Sequence, residues 1–466
     1  MPISGSTAVT DLNALRAGVQ GHVITPDGAQ YDAAGALFYG GVDARPTVIV
    51  RVANADDVAR SIAFARGSDL ELAVRSGGHS VAGHSTTNGG IVIDLHDMRA
   101  LDIDPAAGVA SAEPGLTAGE FTTAAGAHGL GVGFGDTGSV GLGGLTLGGG
   151  VGYLVRKHGL TIDSLLAADV VTADGELIKT DADSHPDLFW AIRGGGGNFG
   201  VATRFRFQLH PVASFVGGLL VLPATAETIS GFVAEAEAAP EELSTIANVM
   251  NCPPMPFVPE EVYGRLVILA FLAYAGPASE GEHVLAPFRA LAKPIADQLK
   301  PMPYPEIYPP EDPEYHPTAA AHTMFMDAVD RTLAEQIVER LEASDASLRV
   351  AQIRVLGGAM ARVPVEATAF AHRRSHIMVN VAAFYDGPDD LPIKQAWVDG
   401  LAAVLKQSDD GAYVNFLTDE GEDRVRAAYP GDTWTRLAAI KARYDPANVF
   451  RLNQNIPPAR PPTPGA

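Results

Sequence analysis

Arg75-Ser76-Gly77-Gly78-His79-Ser80 closes the hydrophobic run Leu70-Glu71-Leu72-Ala73-Val74. A strand that runs into paired glycines lets the backbone approach a ligand closely, because neither residue carries a Cβ. Arg75 brings a fixed positive charge, and His79 ends the turn with its imidazole offered to whatever the turn binds. Alone, this is a weak pattern that any tight turn can produce. A second run gives it weight: Gly138-Ser139-Val140-Gly141-Leu142-Gly143-Gly144-Leu145-Thr146-Leu147-Gly148-Gly149-Gly150-Val151-Gly152-Tyr153. A third cluster follows at Arg193-Gly194-Gly195-Gly196-Gly197-Asn198-Phe199-Gly200-Val201. Glycine costs backbone entropy at each position, so three clusters need a reason. Loops presenting successive N–H groups can bind a pyrophosphate without basic side chains.

The second run is not a dinucleotide fingerprint. Such a site places its glycines directly after the first strand, with an acidic residue about twenty positions on. Here the run lies well inside the chain, and Asp169, at a tempting distance, falls within a predicted hairpin strand.

The chain has 466 residues, enough for two or three domains. Its 47% hydrophobic and 19% charged residues are those of a globular protein. A formal charge of -22, spread along the sequence, argues against nucleic-acid or anionic-membrane partners, which need clustered Lys and Arg. The single cysteine, Cys252, excludes an internal disulfide or a cysteine-rich metal site and is expected to pack rather than react. His79 and His84 lack a third ligand at metal spacing, so no metal is expected. Met1-Pro2-Ile3-Ser4-Gly5-Ser6 carries no secretory pattern and no segment has membrane-span length, so a cytoplasmic location is expected.

Val48 to Val52, a helix capped by Asn54 with Val58, Ile62, Ala63 and Phe64 on its apolar positions, and Leu70 to Val74 form a βαβ unit. Ile91 to Leu95 and Gly108 to Ala112 are further strands, and Ala168 to Lys179 is a hairpin turning at Asp174-Gly175. Beyond Pro211 the texture changes. Strands at Val216–Leu222 and Arg265–Leu272 accompany a helix at Thr332–Ser344, and prolines including Pro301, Pro305, Pro309 and Pro310 mark an irregular surface connection. The spacing predicts a last helix over Thr435–Asp445, stopped by Pro446.

Together, the first two glycine motifs, Asp187-Leu188-Phe189-Trp190-Ala191-Ile192 with the third cluster, and the tail Tyr444-Asp445-Pro446 to Asn455-Ile456 resemble the FAD-linked oxidases of the vanillyl-alcohol oxidase superfamily. The matching branch is the berberine-bridge-enzyme-like one, and the motifs run in order over essentially the whole chain. The resemblance implies an α+β fold: a two-subdomain FAD-binding domain with an inserted substrate domain built on an antiparallel sheet. The corresponding boundaries are 1–210 and 426–466 for the FAD domain and 211–425 for the substrate domain. It further implies FAD bound covalently at its 8α carbon by His79, whereas His84, outside the motif, reads as a surface loop residue. Arg75, Ser76, Gly77, Gly78, Ser80, Thr137, Val140, Gly141, Gly143, Gly144, Gly150, Gly152, Val201, Asn453 and Asn455 are the remaining cofactor-site candidates. In this scheme Val201 flanks the adenine and an Asn453/Asn455 strand flanks the isoalloxazine.

Three departures from the family pattern matter. Many relatives attach the flavin a second time through a cysteine where this chain has Thr137, so a single linkage is implied. Val140 matches the position beside the oxygen-reactive flavin carbon, and a small residue there implies an oxidase making hydrogen peroxide. Alcohol-oxidising relatives often carry tyrosines where this chain has Val151 and Phe416, and neither of these takes a proton. Oxidation of an alcohol needs its hydroxyl proton removed, whereas a neutral amine can release hydride without a base. In that respect the chain is similar to the bacterial 6-hydroxynicotine oxidase type. Tyr153, Tyr413 and Gln352 remain as candidate polar groups, with Val151, Phe416 and Gln352 on the substrate side. The expected activity is hydride removal from a C–N or C–O centre of a small molecule, with O2 as acceptor; a carbohydrate oxidase with an unidentified base and a dehydrogenase using another acceptor are the alternatives.

Overall fold

The computed structural model describes residues 7–308, 310–312 and 314–460. Met1 to Ser6 and Pro309, on which readings of the N-terminus and of the proline-rich connection fall, lie outside the described residues.

The first sheet has the order His22–Ile24, Val48–Arg51, Ile91–Asp94, Leu72–Arg75. Its last three strands are parallel, and Val48 to Val50 and Ile91 to Ile93 are wholly buried, as strands covered on both faces must be. The crossover helix spans Ala55–Gly67, and Asn54 caps it by accepting the Asp57 N–H at 3.0 Å. Its buried stripe is Val58, Ile62 and Ala65; Ala63 is exposed and Phe64 half-buried. The two strands of the expected βαβ unit do not pair directly, because Ile91–Asp94 inserts between them. Asp94 sits opposite both Arg51 and Arg75 and pairs with each at 3.0 Å, which ties all three strands at one end.

A second, antiparallel sheet has the order Leu101–Asp104, Val109–Ala112, Val201–Gln208, Leu165–Val171, Leu177–Asp181. Its last two strands are the expected hairpin, with Gly175 at φ +85° in the turn. The third sheet is antiparallel and eight-stranded. Its order is Ala296–Asp297, Val216–Pro223, Leu266–Tyr274, Leu243–Asn251, Arg349–Val355, Ile377–Phe384, Ala319–Met326, with Lys300–Pro301 also paired to Val216–Pro223. Helices Ala226–Ala238, Arg331–Glu342 and Leu391–Leu405 cover one face, burying Ala247, Val249, Ala351, Ile353, Val379 and Val381. Strand alternation sends Asn248, Met250, Val350, Gln352, Asn380 and Ala382 to the other face, where they line a cavity.

The chain rejoins the core of the second sheet well ahead of residue 426: Ala369 and then Ala412, Val414, Leu417 and Val425 pack in it with Phe121, Phe134 and Trp190. The final helix, Asp432–Tyr444, ends before Pro446. Its buried Lys441 donates to Asn198 O (2.7 Å), Asp445 Oδ2 (2.7 Å) and Phe450 O (2.8 Å), using all three of its N–H groups. The proline-rich connection is more than a surface strap, since Tyr304 and Ile307 are buried against Tyr153, Phe215 and Ile246. No helix among the described residues is long and apolar enough to cross a membrane.

Candidate active site

A cavity of about 580 Å³ lies between the uncovered face of the eight-stranded sheet and the glycine loops. Of the residues singled out in the sequence, it brings together Ser76, Gly77, Gly78, His79, Ser80, Thr137, Val140, Gly141, Gly143, Gly144, Val151, Val201, Gln352, Tyr413, Phe416 and Asn453.

The first two glycine motifs cross backbone on backbone. A Cβ on Gly77 would lie 2.3 Å from Gly141 N, and one on Gly141 would lie 2.2 Å from Gly77 N. Ser76 Oγ locks the crossing by donating to Pro114 O (2.5 Å) and accepting the Gly143 N–H (3.2 Å). Among the described residues, the backbone N–H groups of Gly77, Gly78, His79, Val140 and Gly141 have no acceptor. Gly144 and Gly197 also line the cavity, and a Cβ on either would meet nothing within 4 Å. Bare backbone donors beside open glycine cradles suit the pyrophosphate of FAD. Asn453 Oδ1, buried beside the cavity without a partner, is an acceptor left over for a ligand donor.

His79 stacks on Phe38 with ring centroids 4.1 Å apart, and its Nε2 lies 2.9 Å from Ser139 Oγ. Ser139 is in turn held by Glu311, which accepts the Ser139 N–H at 2.9 Å and also bonds its hydroxyl. Burial lowers the His79 pKa to about 4, although Glu311 and Asp136 oppose it. The imidazole is therefore neutral and nucleophilic at physiological pH, with Nδ1 unengaged among the described residues. Thr137 lines the cavity, and Cys252 is buried in a separate cluster with Val258 and Val267.

The sheet side carries a polar row in an otherwise apolar wall. Asn248, Gln352 and Asn380 stand directly opposite one another on adjacent strands. Gln352 donates to Asn248 Oδ1 at 2.9 Å and accepts two bonds from Arg354, at 3.0 and 2.6 Å. Buried Arg354 also pairs with Asp136, reaches Val151 O (3.3 Å) and lies 5.1 Å over the Phe416 ring. Sequence reading missed Arg354, Asp136, Asn248 and Asn380. The available signal was Gln352 and Arg354 two positions apart in the strand Arg349–Val355, and Asn380 as the one polar residue of the apolar strand Ile377–Phe384.

Several expectations need correction. Arg75 is buried behind the cavity lining, where its Nη2 pairs with Asp94 and donates to Ala34 O while its Nη1 has no partner among the described residues. Gly150 and Gly152 do not line the cavity. The Gly150 N–H is bonded to Tyr413 Oη at 3.0 Å, and Gly152 is glycine because a Cβ would lie 1.3 Å from Phe134 O. Asn455 lies outside the lining, although its Oδ1 is also buried without a partner, and residues 452–454 form a bend, not a strand. Tyr153 is buried away from the cavity, and burial raises its pKa far above the usual phenol range. Tyr413 accepts from Gly150 N and Asn415 Nδ2, both at 3.0 Å; burial raises its pKa too, which suits a donor and not a base. Gln352 has no proton-accepting basicity. His84 is no surface residue, for it lines the cavity and burial lowers its pKa. Among the described residues no group of three or more His, Cys, Asp and Glu is placed to hold a metal.

The family model of an FAD binding domain matches residues 46–181, and the berberine and berberine-like model matches residues 412–457. The chain is 30% identical over 458 residues to (R)-6-hydroxynicotine oxidase of Paenarthrobacter nicotinovorans, covering 94% of this chain and 97% of that protein. It is 29% identical over 448 residues to xylooligosaccharide oxidase of Thermothelomyces thermophilus, covering 89% and 88% respectively. The crystal structure of 6-hydroxy-D-nicotine oxidase from Arthrobacter nicotinovorans superposes with a TM-score of 0.85 at 29% identity, over 95% of this chain and 98% of that one. With the glycine cradle, the neutral histidine and the polar sheet wall in one cavity, these matches place the chain in the berberine-bridge-enzyme-like family of FAD-linked oxidoreductases.

Proposed function

We propose that this enzyme is an oxidase that holds FAD through one covalent bond, from His79 to the 8α carbon. It takes hydride from a C–N or C–O centre of a small molecule and passes the electrons to O2, giving H2O2. The observation that carries this reading is the position of neutral His79 on the wall of a cavity whose other wall is the polar sheet face. Thr137 stands where a second, cysteinyl attachment would need a thiol, which supports a single linkage.

FAD supplies the two-electron chemistry, and covalent attachment raises its potential; the protein aims and tunes it. The free N–H groups at Gly77, Gly78 and Gly141 would hold the pyrophosphate, and Asn453 would offer an acceptor to the cofactor. Phe38 fixes the plane of the His79 ring, and Ser139 holds its Nε2. The small side chain of Val140, which lines the same cavity, supports O2 as the acceptor. The tryptic mass of denatured protein tests the linkage. The peptide containing His79 gains one FAD, and His79→Ala protein releases all its flavin on denaturation. Flavin released quantitatively from the unaltered protein would refute the covalent assignment, and reduced enzyme that yields no peroxide in air would refute the oxidase assignment.

A further inference from the structure

We propose that Asp136 is the proton acceptor of this enzyme and that its substrate is a neutral carbinol, oxidised to a carbonyl. This deepens the oxidase reading and rests on it.

Asp136 is the only carboxylate among the described residues lining the cavity, and Arg354 is the only Lys or Arg. They pair with each other through Asp136 Oδ2. The cavity wall therefore carries no unbalanced charge to attract a cationic or anionic substrate. Asp136 Oδ1 has no partner among the described residues, and the side chain is 23% exposed. Arg354 is itself fixed by Gln352 and Val151 O, so the carboxylate is clamped at one oxygen and open at the other. A general base must be held in place and reachable in this way. The candidates singled out in the sequence fail on chemistry: Tyr413 keeps its proton, Tyr153 is outside the cavity and Gln352 is not a base.

The amide row supplies the matching recognition. Gln352 spends its carbonyl on Arg354 and one N–H on Asn248, leaving one N–H free. Asn380, opposite Gln352, has a buried Oδ1 with no partner. A donor and an acceptor side by side on adjacent strands fit a neutral molecule bearing hydroxyl or ring oxygens. In the reaction, the carbinol O–H bond breaks and its proton goes to Asp136 Oδ1. The C–H bond would break with its electron pair as the C=O bond forms, FAD supplying the two-electron acceptor. O2 would take up the two electrons with two protons, one of them from Asp136, and leave as H2O2.

Anaerobic stopped-flow bleaching of the holoenzyme tests this with glucose, xylobiose and benzyl alcohol as carbinol probes and N-methylbenzylamine as the amine probe. Asp136→Asn keeps the Arg354 contact, and Asp136→Ala opens space for added formate. The expected result is bleaching by at least one carbinol. In both variants it slows by about 10² to 10⁴-fold, with FAD content unchanged and formate restoring part of the rate in Asp136→Ala. Carbinol bleaching that is unchanged in Asp136→Asn overturns the proposal and leaves the oxidase reading standing, as does bleaching by the amine alone. Slowing that formate does not restore and that tracks lost FAD overturns it in favour of a structural role. A bound FAD that dithionite reduces but no probe bleaches counts against the proposal and the oxidase reading together.

Discussion

Replacing Lys441 by Met should destabilise the first core far more than any surface change, and it should do so through the charge left behind. Lys441 and Asp445 are wholly buried, and Asp445 also accepts the Val449 and Phe450 N–H groups at 2.8 and 2.9 Å. Methionine fills the alkyl volume of lysine but removes three charge-assisted bonds and leaves a carboxylate unpaired in the interior. Breaking a buried pair from one side costs about 3–5 kcal/mol. Guanidinium titration followed by the fluorescence of Trp190 and Trp434, which flank this core, measures it. Adding Asp445→Asn to Lys441→Met removes the stranded charge, so the double variant should recover about 2 kcal/mol relative to the sum of the single variants. The loss should also reach the cofactor. Lys441 holds Asn198 O, and Asn198 Nδ2 bonds Gly195 O (2.9 Å) and Gln454 O (3.1 Å) at the cavity edge. A cost under about 1 kcal/mol, or strictly additive single and double variants, would refute this account of Lys441.

Gly144→Val should leave folding intact, since its Cβ meets nothing, yet strip FAD from the protein; Gly77→Ala should lose both, because its Cβ meets Gly141 backbone. Flavin absorbance against circular dichroism separates the two cases. Before flavin attachment, folded His79 has a pKa lowered from 6.5 to about 4, so the unfolded chain binds more protons between those values. Stability from this group is thus full above pH 6.5 and falls as pH drops toward 4, by about 3 kcal/mol in total. His79→Gln apoprotein should show a shallower acid loss in melting experiments, and an unchanged acid profile would contradict the burial of a neutral imidazole.

The glycine-loop wall of the cavity was legible in the sequence because its residues are contiguous. Ser76 to Ser80 and Val140 to Gly144 are short runs in which one backbone crossing demands Gly77 and Gly141, while Gly78 takes a φ of +73° and Gly144 opens onto the cavity. Arg75, Gly150 and Gly152 sat in the same runs but serve the fold, and adjacency in sequence cannot tell a lining backbone from one packed behind it. The substrate side was opaque for the opposite reason. Asn248, Gln352 and Asn380 are far apart along the chain, and only strand pairing makes them neighbours. Asp136 hid beside Thr137, because its partner Arg354 comes from the eight-stranded sheet, far along the chain. The strand inserted between the two halves of the βαβ unit was also beyond reading, since local pattern fixes a strand but not its neighbours.

The alternation along the eight-stranded sheet has a consequence for how such an enzyme can change. Residues such as Val350, Gln352 and Arg354 face the cavity, while Ala351, Ile353 and Val355 hold the helices. On the proposed reading, exchanges at cavity-facing positions outside the Asp136–Arg354–Gln352 clamp, such as Val350, would alter which molecule is accepted while sparing the second set and the glycine loops. Selectivity and cofactor retention are therefore written on separate stretches of chain, so new selectivity can be acquired one side chain at a time without endangering the flavin.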